Sequence, residues 1–444
     1  MSVETDGTTL DDGAKTRSVI PGDRRQPLLD MTLEPVSSLL RARRPGHTLP
    51  AGLYTRQDVH EADVEVIFHR HWIAAGVDAD VPEPGDVYAL DIGRSSIVIL
   101  RDDDGVLRAF HNVCSHRGAR LVDAGRGTVG RLVCPYHQWV YELNGELLDA
   151  PHMGATFDKA LGHLRPVHLR SIGGLLYVCL GETPPDDIDD LARVMEPRLA
   201  PYDIRNARVA FETDIVERGN WKLTMENNRE CYHCTSNHPE LCVSFVHYDF
   251  GFDPDALSPE EAAEARAHAI RYERQAAAWE ADGLPSSAVD HGPGHATNFR
   301  TQRLIIAGPG ESQTPNGRAA SRRLLGTMTR KDTGDVHLWG INSWNHVMAD
   351  HAVVFAAYPL SADRTLVRTK WLVHKDAVEG VDYDLATLTT VWKTTNEQDA
   401  ALVARAHAGV ETAGYRPGPY SPLTEATLDD FATWYVERMR AHGF

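Results

Sequence analysis

Two short loops carry the residues best equipped for redox chemistry: Cys114-Ser-His116 and Cys134-Pro-Tyr-His137. Together they offer two thiolates and two imidazoles. A [2Fe–2S] cluster can be held with two cysteines on one iron and two histidines on the other, and neutral imidazole in place of thiolate raises the reduction potential above that of an all-cysteine cluster. Such a centre takes electrons from an ordinary ferredoxin-like or flavin donor. A structural zinc is the alternative, but Cys2His2 zinc sites usually group Cys with Cys and His with His. Here each pair mixes the two.

The elements that must present these loops are short β segments. Both pairs sit at the ends of strand-like stretches, residues 107–113 and 129–133, with Gly118 and Pro135 shaping the loop tips. Alternating runs at 87–92 and 96–100, the turn Asp103-Asp104-Gly105, the hairpin signal Asn144-Gly145 and the run 175–180 describe a small antiparallel unit. A helical pattern from Tyr54 to Trp72 precedes it, and Thr183-Pro184-Pro185 marks a boundary after it. The expected division is a partly mobile extension over 1–48 with one short helix, a cluster domain over 49–182, and a second domain over 183–444.

Composition sets the class. The chain has 444 residues, 42% hydrophobic and 24% charged, enough for two packed domains. A net charge of −18 disfavours nucleic acid or an anionic membrane as partner. The longest apolar stretch, 172–180, is far too short to span a bilayer, and the start of the chain is polar, so the cytoplasm is expected. Six cysteines in a chain this long do not read as a disulfide framework, and reduced thiols are expected.

Cys114-Ser-His116-Arg117-Gly118 with Cys134-Pro-Tyr-His137-Gln-Trp139 resembles the Rieske motif of the α subunits of Rieske non-haem iron oxygenases. The segment from Gly219 to Pro239, with Glu226-Asn227-Asn-Arg-Glu230-Cys-Tyr-His233-Cys-Thr-Ser-Asn-His238, resembles the same family's helix bearing an acid followed by His-x4-His. The resemblance spans residues 50–444. It implies an α+β protein, with a small antiparallel β Rieske [2Fe–2S] domain and a larger catalytic domain whose antiparallel sheet is covered by helices. It also implies a mononuclear Fe(II) site, O2 as cosubstrate, electrons from NAD(P)H through a separate flavin or ferredoxin-type reductase, and a head-to-tail homotrimer.

The second motif also makes chemical sense. Ferrous iron that binds O2 takes a 2-His-1-carboxylate set with positions left open. His233 and His238 supply two ligands, but residues five apart on an ideal helix diverge by about 140°. A π-like turn or helix distortion is therefore expected between them. For the carboxylate, positions 385, 388, 392, 395, 399, 402 and 406 form one apolar helical face in which Asp399 is the lone acid. A buried carboxylate must be paired, protonated or bound to metal, and Asn396-Glu-Gln-Asp399 resembles the family's third-ligand segment. Glu397, on the solvent side, is the alternative. Cys231 and Cys234 read as packing residues pointing away from the iron, because a soft thiolate there would favour other metals.

Glu230 and Asn227 are the catalytic candidates beside the ligands. Three residues before His233, Glu230 can approach that imidazole without binding iron. In the family this position bridges a mononuclear-site His and a Rieske His of the neighbouring subunit. Glu rather than Asp here, with Glu-Cys-Tyr-His-Cys, resembles the branch that oxidises quaternary ammonium compounds such as choline, glycine betaine, carnitine or proline betaine. Aromatic faces would hold such a cation, and Trp339, Trp344, His346, Phe355 and Tyr358 are the candidates. The insertion at 250–325, opening on the capped start Ser258-Pro259-Glu260-Glu261, is expected to be a lid or interface element. The implied reaction is hydroxylation of a C–H bond of a small substrate, with release of formaldehyde where the carbon is an N-methyl. Aromatic-ring hydroxylation and a pure electron carrier are the rival readings.

Overall fold

The run Ile97, Val98, Ile99, Leu100 is buried on both faces, which places Ser95–Arg101 inside a sheet rather than at its edge. It pairs antiparallel with Asp86–Ile92 on one side and Leu107–His111 on the other, and Gly125–Thr128 completes a four-stranded sheet. A three-stranded sheet, Leu132–Val133, Val140–Tyr141 and Leu147–Asp149, carries the second Cys/His loop. A third sheet joins Ile73–Val77, Leu175–Cys179 and His168–Ile172. The computed structural model describes residues 34–444. The expectation of a mobile start falls on residues 1–33, outside the described residues. The expected short helix runs Val36–Ala42 and buries Leu39 and Leu40.

The rest of the chain builds a seven-stranded sheet, all antiparallel. Its order is Arg208–Glu217, Arg364–Val373, Ala352–Ser361, Trp344–Val347, Asp335–Trp339, Phe299–Leu304 and Val289–His291. This is the α+β architecture expected. The helix Pro259–Ala281 starts on the Ser258/Glu261 capping box and ends before Gly283 at φ +76°. The segment 250–325 is nevertheless no detached insertion, because it contributes the last two strands. In Phe299–Leu304 the interior residues Phe299, Thr301 and Arg303 alternate with half-buried Arg300 and Gln302, and polar side chains on both faces hid the strand.

The helices Ala51–Thr55 and Gln57–Asp63, followed by a π turn over Val64–Phe68, pack into the same core as Trp221, Met225 and Trp434. Buried Asp63 accepts from Trp221 Nε1 at 2.9 Å and Tyr435 OH at 2.7 Å, and pairs with buried Lys222. The segment before the cluster sheets thus leans on the part of the chain that carries the second histidine motif. A further contact clamps the sheets. Fully buried Asp80 pairs with Arg126 of Gly125–Thr128 at 2.5 Å and with Lys370 of Arg364–Val373 at 2.5 Å, and Arg368 Nη1 donates to Tyr88 OH at 2.6 Å.

The helix Leu385–Val410 buries Leu388, Trp392, Thr395 and Asp399 as its periodicity predicts. Beyond Asp399 the buried line moves to Val403, His407 and Val410, leaving Ala406 exposed. The step after Asp399 is four residues rather than the expected three, because at 3.6 residues per turn either neighbour can face the core.

Candidate active site

The two Cys/His loops are matched tight turns. Gly118 N donates to Cys114 O at 3.0 Å and Gln138 N to Cys134 O at 3.1 Å, and the turns are closed by Gly118 at φ +75° and Gln138 at φ +57°. Both cysteines are buried, whereas both histidines are half-exposed. The imidazoles of His116 and His137 face each other with ring centroids 4.6 Å apart, and Trp139 stacks on His116 at 4.9 Å. Their Nδ1 atoms are buried without a partner, and burial together with neighbouring Cys134 pushes the Cys114 thiol up. Two orphaned imidazole nitrogens beside two close thiols fit a cluster held by Cys114, Cys134, His116 and His137. Tyr141 OH lies 3.2 Å from Cys114 Sγ and accepts from Ser115 N, a sulfur contact that spacing alone did not signal.

The second motif departs from a continuous helix. Asn220 caps Trp221–Asn227, the chain then turns, and His233 and His238 bracket the single helical turn Cys234–Asn237. There is no π turn between them. The expected distortion takes the form of a break, with His238 leaving the helical region at φ −123°, ψ 66°. The break solves the angular problem: His233 Nε2 lies 3.4 Å and His238 Nε2 3.0 Å from the same oxygen of Asp399, itself buried on Leu385–Val410. Metal bonds of about 2.1 Å at right angles separate ligand atoms by about 3 Å, so this set fits a metal. Glu397 is exposed.

Neighbouring groups hold each of these three side chains. Glu230 Oε1 lies 2.5 Å from His233 Nδ1, while its other oxygen accepts from Tyr232 N. Gln398 Oε1 lies 2.8 Å from His238 Nδ1, and Gln398 is held in turn by Glu240 at 3.0 Å. Asn227 Nδ2 donates to Asp399 Oδ1 at 2.8 Å. Such partners set tautomer and orientation. Burial lowers the basicity of His233, but Asp399 and Glu230 overcome it and raise the imidazole to about 9. Asp399 is held below its usual range: burial opposes this, and His233 and His238 outweigh burial.

Cys231 and Cys234 do not point away as separate packing thiols. They form a disulfide, their Cα atoms 4.9 Å apart, a distance that one turn of Cys-x-x-Cys provides and a bridge requires. Cys234 Sγ also lies within 4.8 Å of the histidine ligand atoms. The bonded form presents no thiolate to the metal. Cys114 and Cys134 remain free, as do Cys179 and Cys242.

A chamber of about 50 Å³ opens beside His233, His238 and Asp399. Trp339, Trp344 and His346 line it, as expected, and Phe245, Phe250, His337, Gln313 and Trp392 join them. Phe355 stands behind Trp344, stacked at 4.9 Å, and Tyr358 bonds Ala74 O at 3.1 Å, so neither reaches the chamber wall. Both lie on Ala352–Ser361, where aromatic character alone does not tell a chamber wall from the sheet core. Trp392 shares the apolar stripe with Asp399, a signal that could have placed it. No helix among the described residues is long and apolar enough to cross a membrane.

The Rieske [2Fe-2S] domain family matches residues 71–167, and the ring hydroxylating alpha subunit (catalytic domain) family matches residues 204–441. The chain is 41% identical over 426 residues to a glycine betaine monooxygenase oxygenase subunit of Pseudomonas aeruginosa, covering 96% of this chain and 95% of the relative. Its counterpart in Chromohalobacter salexigens is 42% identical over 91% of this chain and 88% of the relative. Among solved structures, a quaternary ammonium Rieske monooxygenase in complex with L-carnitine shares the fold at TM-score 0.65 and 21% identity, over 90% of this chain and 98% of that one. Naphthalene 1,2-dioxygenase from Rhodococcus sp. does so at TM-score 0.62 and 20% identity, over 89% and 95%.

Proposed function

The chain belongs to the Rieske oxygenase α-subunit family, and from that premise we propose that it removes an N-methyl group from a small quaternary ammonium compound, glycine betaine first. The observation that carries this reading is the aromatic chamber beside His233, His238 and Asp399. A quaternary nitrogen has no N–H to donate and is held by aromatic faces, most strongly by indole. Trp339, Trp344, Trp392 and Phe250 offer such faces, with Phe250 set edge-on to Trp339 at 6.0 Å.

When bound, the mononuclear iron supplies O2 activation and the cluster supplies the electrons, which come from a separate reductase. The chain's own residues do the positioning. Glu230 and Gln398 hold the two imidazoles with Nε2 toward the metal, and Asn227 aims Asp399. One oxygen atom enters the N-methyl C–H bond and the other leaves as water. The resulting carbinolamine loses its hydroxyl proton, its C–N bond breaks, and formaldehyde and the tertiary amine depart.

The sequence supports a cluster domain over 49–182, a catalytic domain over 183–444 and a cytoplasmic location, and the family resemblance supports a homotrimer. Electrons pass from one subunit's His116 and His137 to the next subunit's His233 through Glu230. The reductase uses NAD(P)H. The test of the reading is O2 uptake with a generic reductase, screened over glycine betaine, carnitine, choline and aromatic acids. One formaldehyde per O2 with a betaine is the expected result; uptake with an aromatic acid alone, and no formaldehyde, would overturn it.

A further inference from the structure

Phe250, His337 and Trp339 also line a second cavity that adjoins the chamber at these rings. It measures about 210 Å³, against about 50 Å³ for the chamber at the metal ligands, and the three rings line both. Arg229 is built into its wall with only 4% of its surface exposed. One terminal nitrogen donates to Gly340 O at 2.5 Å, and the guanidinium lies over Phe431 at 4.5 Å, but Nε has no partner at all. Among the described residues no carboxylate pairs with it, and Asp290 attracts it only through space. Burial brings Arg229 down to about 10, which still leaves it charged at neutral pH.

A buried cation without a counter-ion is costly. The same cavity holds a second orphan, the buried hydroxyl of Thr424. Arg300 lines it as well, bonded to Asp290 at 2.9 Å with its guanidinium over Trp339 at 5.9 Å. The acid facing this space, Asp249, is engaged by His268 Nε2 at 2.7 Å. Two unused donors, one of them on a cation with no carboxylate partner among the described residues, thus meet next to an aromatic chamber suited to a cation.

We propose that this cavity is the carboxylate subsite of the substrate pocket, with Arg229 and Thr424 donating to the anionic end of a zwitterion while the aromatic chamber keeps its ammonium end. The inference rests on the quaternary ammonium reading and sharpens it: the site selects betaines over choline, which has the cation but no carboxylate.

The test compares wild type, Arg229→Gln and Thr424→Ala by KM for glycine betaine and for choline, and by the shift in Tm that acetate produces in each purified holoprotein. Acetate should stabilise wild type and not the variants. Arg229→Gln should raise the KM for betaine over that for choline by about tenfold or more, the size of one charge-assisted hydrogen bond, and Thr424→Ala should move the ratio the same way by less. A merely structural arginine would instead lower Tm and leave the ratio alone. Should Arg229→Gln not fold, Thr424→Ala and the acetate shift of wild type decide. No acetate shift in wild type, or an unchanged KM ratio in the variants, overturns the subsite. If neither compound supports O2 uptake, it is the demethylation reading that falls, and the acetate shift still judges the subsite on its own.

Discussion

One oxygen of Asp399 lies within 3.4 Å of both ligand imidazoles, and Asn227 holds that same oxygen. Asp399→Ala should therefore lose mononuclear iron while the cluster's visible spectrum persists, because the two centres share no ligand. Partners of ligands already cost roughly 10- to 100-fold when removed, so loss of a direct ligand should cost more than that in turnover. Glu397→Ala, on the exposed side, should stay near wild type in both iron content and rate; the opposite pattern would show that the wrong acid was chosen. Asp399 was legible because a lone acid in an apolar stripe demands a partner. Gln398 was not, since its role depends on how the helix sits against His238. The disulfide was hidden for a related reason: Cys-x-x-Cys spacing permits a bridge but does not require one.

At the scale of elements, the single turn between His233 and His238 shows how far periodicity reaches. Spacing said that an unbroken helix cannot bring both residues to one metal, yet not whether the chain would widen or break there. The helix before it, Trp221–Asn227, is anchored by a buried acid: Glu226 accepts from Tyr54 OH at 2.8 Å, tying it to Ala51–Thr55. Burial is the main cause that raises Glu226 from 4.5 to about 7, against Tyr54 and Lys222, which lower it. The folded state then holds a proton that the unfolded chain releases near its ordinary value. The resulting stability is fully present below about 4.5, shrinks as pH rises, and is lost above about 7. Over that window it amounts to something on the order of 3 kcal/mol. Glu226→Gln should abolish this slope in urea unfolding between these pH values while keeping the Tyr54 hydrogen bond. An identical slope in the variant would show that another group titrates.

Across the molecule, the large sheet was expected only from the family resemblance, whereas the small sheets around the cluster loops were readable from alternating runs and turn residues. The edge strands at 289–291 and 299–304 were not, because polar residues on both faces mask a strand. The proposed trimer gives Glu230 its clearest test. Glu230→Gln keeps size and hydrogen bonding but removes the charge beside His233, so iron content should hold while reoxidation of the reduced cluster by O2 and substrate slows roughly 10- to 100-fold. Mixed trimers of Cys114→Ala and His233→Ala chains should regain part of the activity that each parent lacks. Complete inactivity of verified mixed trimers, with both parents folded, would place electron transfer within one chain.

The clamp around Asp80 bears on how those electrons travel. Arg126 from the cluster side and Lys370 from the catalytic side share its two oxygens, so the cluster sheets are bolted to the large sheet at this seam. Electron delivery by a swinging head would feel the drag of the solvent, whereas delivery between fixed centres would not. Thickening the medium with glycerol should slow the encounter with the reductase, yet single-turnover reoxidation of a pre-reduced enzyme should be blind to viscosity. A rate that falls in proportion to viscosity would mean that the bolt opens in every cycle.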